Sequence, residues 1–202
     1  ACYTLFINAY NNIPIMNSWP LDLFCRTAAF APILPQLQQF SDVPSHDDWA
    51  KINFCAQSQT GATIRFVDPA LIQDYYEIAI YQHGNVATRL NWHDTFNAMV
   101  WQAFPQSKVA LNALHYRAIG QVQQGRGAAR DAATLLDECG LIVPYSDPAL
   151  LELLRQHQWQ ALFVQQGAAW GLRINAFVFG HATYENLLAP FIGLTGKSWP
   201  VL

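Results

Sequence analysis

The stretch TRLNWHDTFNAMVWQAFPQSKVALNALH, Thr88–His115, decides how the chain is read. Asn91 stands three positions before Asp94, a capping-box arrangement with Asp in the usual Glu place. Apolar residues then recur at Trp92, Phe96, Met99, Val100, Ala103 and Phe104, a continuous stripe of helical period. Pro105 ends that helix, and a second is expected from about Ser107 with Leu111, Leu114, Ala118 and Val122 as its buried stripe. The polar residues also keep register. His93, Asn97 and Trp101 are four apart, and Lys108, Asn112 and His115 follow at offsets of four and three, so each set shares a helix face. Two helices joined at a proline corner can bring those faces together.

The bulk composition frames this corner. A chain of 202 residues is long enough for one domain that buries about 70% of its unfolded surface. Hydrophobic residues make up 52% and charged residues 12%, which excludes a disordered chain or a coiled coil. So thinly charged a surface leaves apolar patches that favour a homo-oligomer or a protein partner. No apolar run reaches the ~18 residues of a membrane span. The start, ACYTLFINAYNNIP, has neither an initiator Met nor a basic region and is expected to be a trimmed end rather than a signal peptide. Cys2, Cys25, Cys55 and Cys139 are scattered without a CxxC, pointing to reduced thiols in a cytoplasm. Residues 1–83 carry three basic and seven acidic side chains, and residues 84–133 five basic and two acidic. A local excess of that size, in a chain with pI about 6.0, suits a small anion and argues against nucleic acid.

Working outward from the corner, Leu21–Phe40 is helical in pattern but broken at Pro32 and Pro35, so two short helices are expected. Ser45 or Asp47 caps a helix burying Trp49, Ile52 and Phe54; Gly61 ends it, and ATIRFV is a short strand. The run from Asp68 fits a helix ending near Tyr81 or a hairpin turning at His83–Gly84, and the helix is preferred. ATLLDECGLIVPY reads as strand, turn and strand, with Asp137–Gly140 as the turn and Gly140 at positive φ. SDPALLELLRQHQW is a helix with Pro148 in its first turn, LRINAFVF a strand, Gly180 a corner, and HATYENLLAP a helix stopped by Pro190. The expected fold is a single compact α+β domain over residues 19–202, helix-rich, with short strands and at least one β-hairpin, preceded by an extension over residues 1–18.

Chemistry-bearing residues gather in three places. The corner offers His93, Asp94, Asn97, Lys108, Asn112 and His115, a set suited to binding an oxyanion or holding a metal with outer support. It would equally make a hydrogen-bonded structural network, with Asp94 as the capping acid. His181 and Glu185, one helical turn apart after a strand and a glycine, can reach one ligand; alternatively His181 caps the helix and Glu185 faces solvent. Asp137 and Glu138 are adjacent acids at the expected turn, where Asp favours a backbone role. Arg126 and Arg130 precede them, and an Arg there could clamp a carboxylate or phosphate. There is no HExxH, P-loop or GxSxG, and Cys139 has no base beside it in sequence.

The motifs TRLNWHDTFNAMVW, FPQSKVALNALH, RDAATLLDECG and FGHATYENLLAP together resemble an uncharacterised bacterial family, domain of unknown function 3025, with the likeness running from about Trp19 to the C-terminus. The resemblance implies a bacterial, mostly proteobacterial, protein and no activity. It marks His93, Asp94, Asn97, Lys108, Asn112, Arg130, Asp131, Asp137, Glu138, His181 and Glu185 as motif positions, and Cys139 as a departure from them.

Two functions follow as expectations. One is a site for a small anionic ligand, or a metal-dependent hydrolase acting on a phosphate- or carboxylate-bearing substrate. It would use His93, His115 and His181 with Asp94, Asp137 or Glu185 as acid, base or ligands, and Asn97, Lys108, Asn112 and Arg130 around the substrate. The other is a non-catalytic module whose polar motifs lock the fold while an apolar patch holds a partner. The sequence identifies no cofactor.

Overall fold

The computed structural model describes residue 16 and residues 18–119 and 127–202; Cys2, Val122, Arg126 and most of the 1–18 extension lie outside them. Two short helices form in the first segment as expected, although Pro35 sits in the first turn of the second rather than breaking it. Helix α1 (Leu21–Arg26) and helix α2 (Leu34–Leu37) are separated by a 3-10 stretch, Ala28–Ile33, that contains Pro32. Helix α3 (His46–Lys51) opens with a complete capping box: the Asp48 N–H donates to Ser45 Oγ at 3.2 Å and the Ser45 N–H to the Asp48 carboxylate at 3.0 Å. The helix stops at Lys51, so Ile52 and Phe54 are half-buried from extended chain rather than from the helix.

Strand β1 (Arg65–Val67) and strand β2 (Asn85–Ala87) pair in parallel, with Arg65 opposite Asn85. Parallel strands need a crossover, supplied by a 3-10 turn at Pro69–Leu71 and helix α4 (Tyr76–His83). The helix reading of this run holds, and Gly84 is its left-handed cap at φ 73° rather than a hairpin turn. A Cβ on Gly84 would stand 2.1 Å from the Thr63 carbonyl oxygen, so no other residue fits.

Helix α5 (Trp92–Ala103) begins at Asn91, whose side chain accepts the Asp94 N–H at 2.8 Å. Helix α6 (Pro105–Ile119) follows directly, with Pro105 in its first turn. Its buried side is the reverse of the expected one: Lys108, Asn112, Ala113 and His115 are buried, whereas Leu111, Leu114 and Ala118 are only half-buried. The polar face lies against α4 and helix α7 (Ala128–Cys139), where partners for it exist.

Helix α7 also overturns the first strand and the turn expected over ATLLDECGLIVPY, while the second strand, LIVP, is borne out. Ala133, Leu136 and Cys139 fall three apart and turn inward as one helical stripe, Asp137 to Cys139 form the last turn, and Gly140 has φ −72°. Strand β3 (Gly140–Pro144) then becomes the centre of a three-stranded sheet. Beyond it come helix α8 (Pro148–Arg155), capped by Asp147, a π turn at Ala161–Gln165 and a 3-10 turn at Gly167–Ala169. Strand β4 (Phe177–Val178) pairs antiparallel with β3. The expected strand over LRINAFVF is thus two residues long, with Ile174 making isolated bridges to Tyr145 and Trp170. Helix α9 (His181–Asn186) is buried along its whole length. Strand β5 (Lys197–Val201), which the sequence reading missed, completes the sheet in parallel to β3. Helix and short strand in separate segments make an α+β fold.

The main core wraps the N-terminal helices around α5 and α9. Phe30 packs on Phe96 and Tyr184 at ring separations of 5.9 and 5.5 Å, all three without measurable exposure, and Trp92 stacks on Phe96. Truncating such a ring costs about 3–5 kcal/mol. A smaller cluster of Val143, Leu150, Leu162, Ala169 and Ile174 sits under the sheet's other end. The first core holds α5 rigidly against α9, and that contact builds the site.

Candidate functional site

Three helices converge through close backbone approach. Gly180, just before α9, lies so near the end of α7 that a Cβ there would stand 2.5 Å from the Cys139 backbone and the Glu138 carbonyl. The first residue of α9, His181, is thereby pressed against the last turn of α7 and faces His93 from α5. The two imidazoles meet at Nε2, 3.0 Å apart, with rings inclined at 71°. His93 Nδ1 lies 3.0 Å from a Glu185 carboxylate oxygen. Glu138, from α7, brings a carboxylate oxygen to 3.7 Å from His181 Nε2. His93, Glu138 and His181 can each turn one donor atom to a common point, these atoms lying within 4.8 Å of one another. The buried His181 Nδ1 has no hydrogen-bond partner among the described residues, although an Asp137 carboxylate oxygen faces it at 4.0 Å.

A polar layer from α4 and α6 supports these groups. Lys108 is 3% exposed, donates to Asn97 Oδ1 at 2.8 Å and to the Asp137 carboxylate, and lies over the Trp101 ring. Asn97 in turn donates to the Tyr76 hydroxyl at 2.9 Å. Asn112 donates to the Glu77 carbonyl and, at 2.7 Å, to its carboxylate. Asp94 is not the reciprocal half of a capping box. It accepts from the Arg89 backbone N–H and Nε, each at 2.8 Å, and from Nη2 at 3.0 Å, a forked pair that ties the loop before α5 to its first turn.

The electrostatics follow from burial. Burial drives the His181 pKa down to about 3, so its imidazole is neutral at ordinary pH. Burial opposes charge on His93 too, but the Glu185 carboxylate on Nδ1, with Glu138 nearby, outweighs it and holds the pKa above its ordinary value. The Glu138 carboxyl is raised, chiefly by burial. Burial would also raise Asp137, yet Lys108 beside it leaves that carboxyl below the usual range. The result is a neutral imidazole, a hydrogen-bonded imidazole and a carboxylate short of stabilisation around one point.

Above that point opens a cleft of about 440 Å³, within the size range of small-molecule sites. Its walls include Tyr75, Tyr76, Arg89, Asp94, His115, Arg130 and Thr134. Of the residues singled out in the sequence, His93, Asp137 and His181 come together at its floor, with Glu185 held against His93 Nδ1. Asn97 also lines the cleft, Lys108 lies behind it, Asn112 serves Glu77, His115 lines the cleft and the small space beneath it, and Arg130 stands at the rim. The alternatives in which His181 merely caps its helix and Glu185 faces solvent do not hold, since they are 4% and 9% exposed and joined through His93. Sequence reasoning marked Glu138 as a motif position but, assigning it to a turn, left it out of the acid, base and ligand set. Read as helix, α7 carries Arg130, Thr134, Asp137 and Glu138 at offsets of four, seven and eight, on one face.

Among the described residues no helix is long and apolar enough to cross a membrane. No curated protein and no solved structure matches the chain. The family model for a protein of unknown function, DUF3025, matches residues 64–202, leaving the stretch from Trp19 to Thr63 outside it. The matched part contains every side chain that builds the cleft floor, and the chain belongs to the DUF3025 family.

Proposed function

We propose that the cleft is the active site of a metal-dependent hydrolase, with His93, His181 and Glu138 as ligands of one divalent cation. The observation that carries the reading is the approach of two imidazole Nε2 atoms to 3.0 Å with a carboxylate 3.7 Å away, from three separate helices. Ligand atoms about 2.0–2.1 Å from a tetrahedral zinc are about 3.3 Å from each other, close to both separations. The outer contacts support it as well. A ligating histidine commonly donates its second ring N–H to a carboxylate, as His93 does to Glu185. A metal needs neutral imidazole, the form in which burial keeps His181. With three protein ligands, a divalent cation held by His93, His181 and Glu138 would keep a position open, and the chemistry it would supply is activation of water for hydrolysis in a cleft wide enough for a substrate.

The test is elemental mass spectrometry on protein purified without affinity tag or chelator. Near-stoichiometric zinc or manganese, lost in His93→Ala and His181→Ala, supports the hydrolase. Iron in that position would redirect the site to oxygen chemistry, because two histidines and one carboxylate also make the facial triad of non-haem iron enzymes. A protein that is metal-free and gains no thermal stability from added zinc, manganese or iron refutes the metal site. The two imidazoles are then simply hydrogen-bonded to each other.

A further inference from the structure

Arg130 differs from the other cations around the cleft. Arg89 is committed to Asp94 through a fork, and Lys108 is committed to Asp137. Arg130 makes no ion pair among the described residues: Nη2 reaches only the Tyr75 hydroxyl, at 3.3 Å, and its buried Nε has no hydrogen-bond partner. A guanidinium donor removed from water and left unpaired is costly, and the Nε–Nη2 edge has the two parallel donors that fit a carboxylate or phosphate. Arg130 also shares the cleft-facing side of α7 with Glu138, eight residues further on, which at 1.5 Å per residue is a separation of about 12 Å.

We propose that Arg130 anchors the oxyanion of an elongated small substrate, the Tyr75 hydroxyl holding the guanidinium in place, while the scissile group lies at the His93–Glu138–His181 end of the cleft. This rests on the metal reading for the scissile end only. The substrate class is then a molecule that carries a carboxylate or phosphate within about 12 Å of a hydrolysable bond. The offset also explains how one cleft can hold both an anion and a cluster of carboxylates: Asp137 and Glu138 sit at the far end, one neutralised by Lys108 and the other by the metal.

Inorganic phosphate, acetate and, as a neutral control, acetamide are titrated calorimetrically into the metal-loaded full chain and into its Arg130→Gln and Arg130→Lys variants, with metal content measured on each sample. Phosphate or acetate should bind the unaltered protein and acetamide should not, and the preferred anion tells which oxyanion the substrate carries. Affinity should fall at least ten-fold in Arg130→Gln with metal content unchanged. Arg130→Lys keeps the charge and the folded structure but loses the fork, and should show most of the same loss. Equal anion affinity in all three proteins would overturn the proposal, the anion then resting on the metal. Absence of anion binding in a metal-replete protein would overturn it too, while leaving the metal reading intact. A metal-free protein that still loses anion binding in Arg130→Gln would uphold the anchor and remove the hydrolase.

Discussion

Lys108 offers a sharp test of how the site is held, because it is both fully buried and doubly committed. Lys108→Met keeps most of the side-chain volume, so packing against Trp101 survives and the loss is electrostatic. Removing one partner of a buried pair costs about 3–5 kcal/mol, mainly because the other charge is stranded. Here the stranded group is Asp137, whose side chain keeps 25% of its exposure and so retains some hydration, which places the loss near the lower end, about 3 kcal/mol. Asn97 Oδ1 also loses its charged donor. Urea unfolding of Lys108→Met should show this shift at pH 7, and Lys108→Met combined with Asp137→Asn should recover about 1–2 kcal/mol, since the charge without a partner is gone. The pH dependence has a definite sign. A carboxyl held below its unfolded value stabilises above that value and loses the contribution as pH falls through the folded value. The Asp137 carboxyl is of this kind, so the gap between Lys108→Met and the unaltered protein should close in acid, below about pH 4. A loss under 1 kcal/mol at pH 7, or a double variant no better than the single one, would refute the buried-pair argument.

Glu77 should behave in the opposite way. Burial raises its carboxyl, so the folded state holds the proton longer than the unfolded chain, and stability falls as pH rises from about 4.5 through the folded value. Glu77→Gln, which can still accept from Asn112, removes that fall; urea midpoints at pH 4 and pH 7 should diverge less than in the unaltered protein, and an identical pH slope would count against it. Glu185→Gln removes the carboxylate from His93 Nδ1 while keeping an acceptor, and should weaken zinc binding at least ten-fold in a chelator competition with little change in unfolding. Unaltered zinc affinity would mean that Glu185 does not orient the ligand.

The sequence was legible where structure is set locally. The helix of Trp92–Ala103, its Asn91 cap and the proline corner follow from residues within a few positions of one another, and so do the Ser45 and Asp147 caps. It was misread where an apolar pattern was assumed to point inward. In α6 the inward face is Lys108, Asn112 and His115, because what lies inside is a polar cleft and its supports rather than core. The same assumption that polar means exposed made a turn of Asp137–Glu138, although the alanine-rich run before them has high helix propensity and carries the helix to Cys139. Strand β5 gave little signal because Pro200 lowers its strand character, a residue tolerated there since β5 is an edge of the sheet.

The distribution of the proposed metal ligands explains why such a centre would escape motif reading. His93 and His181 are 88 residues apart, and Glu138 comes from a third helix, so no local spacing encodes the centre. What encodes it is the packing around them: Phe96 and Tyr184 fix α5 against α9, Gly180 fixes α9 against α7, and Lys108 neutralises the Asp137 carboxylate that this close approach would otherwise leave beside Glu138. Each of those residues is needed for convergence and none would touch the cation. The site residues that sequence reasoning placed in its acid, base and ligand set were those in dense polar clusters; Glu138, marked as a motif position but assigned to a turn, gains its place beside the histidines only once α7 is a helix, and Tyr75, Tyr76, Glu77 and Arg89 were not singled out at all.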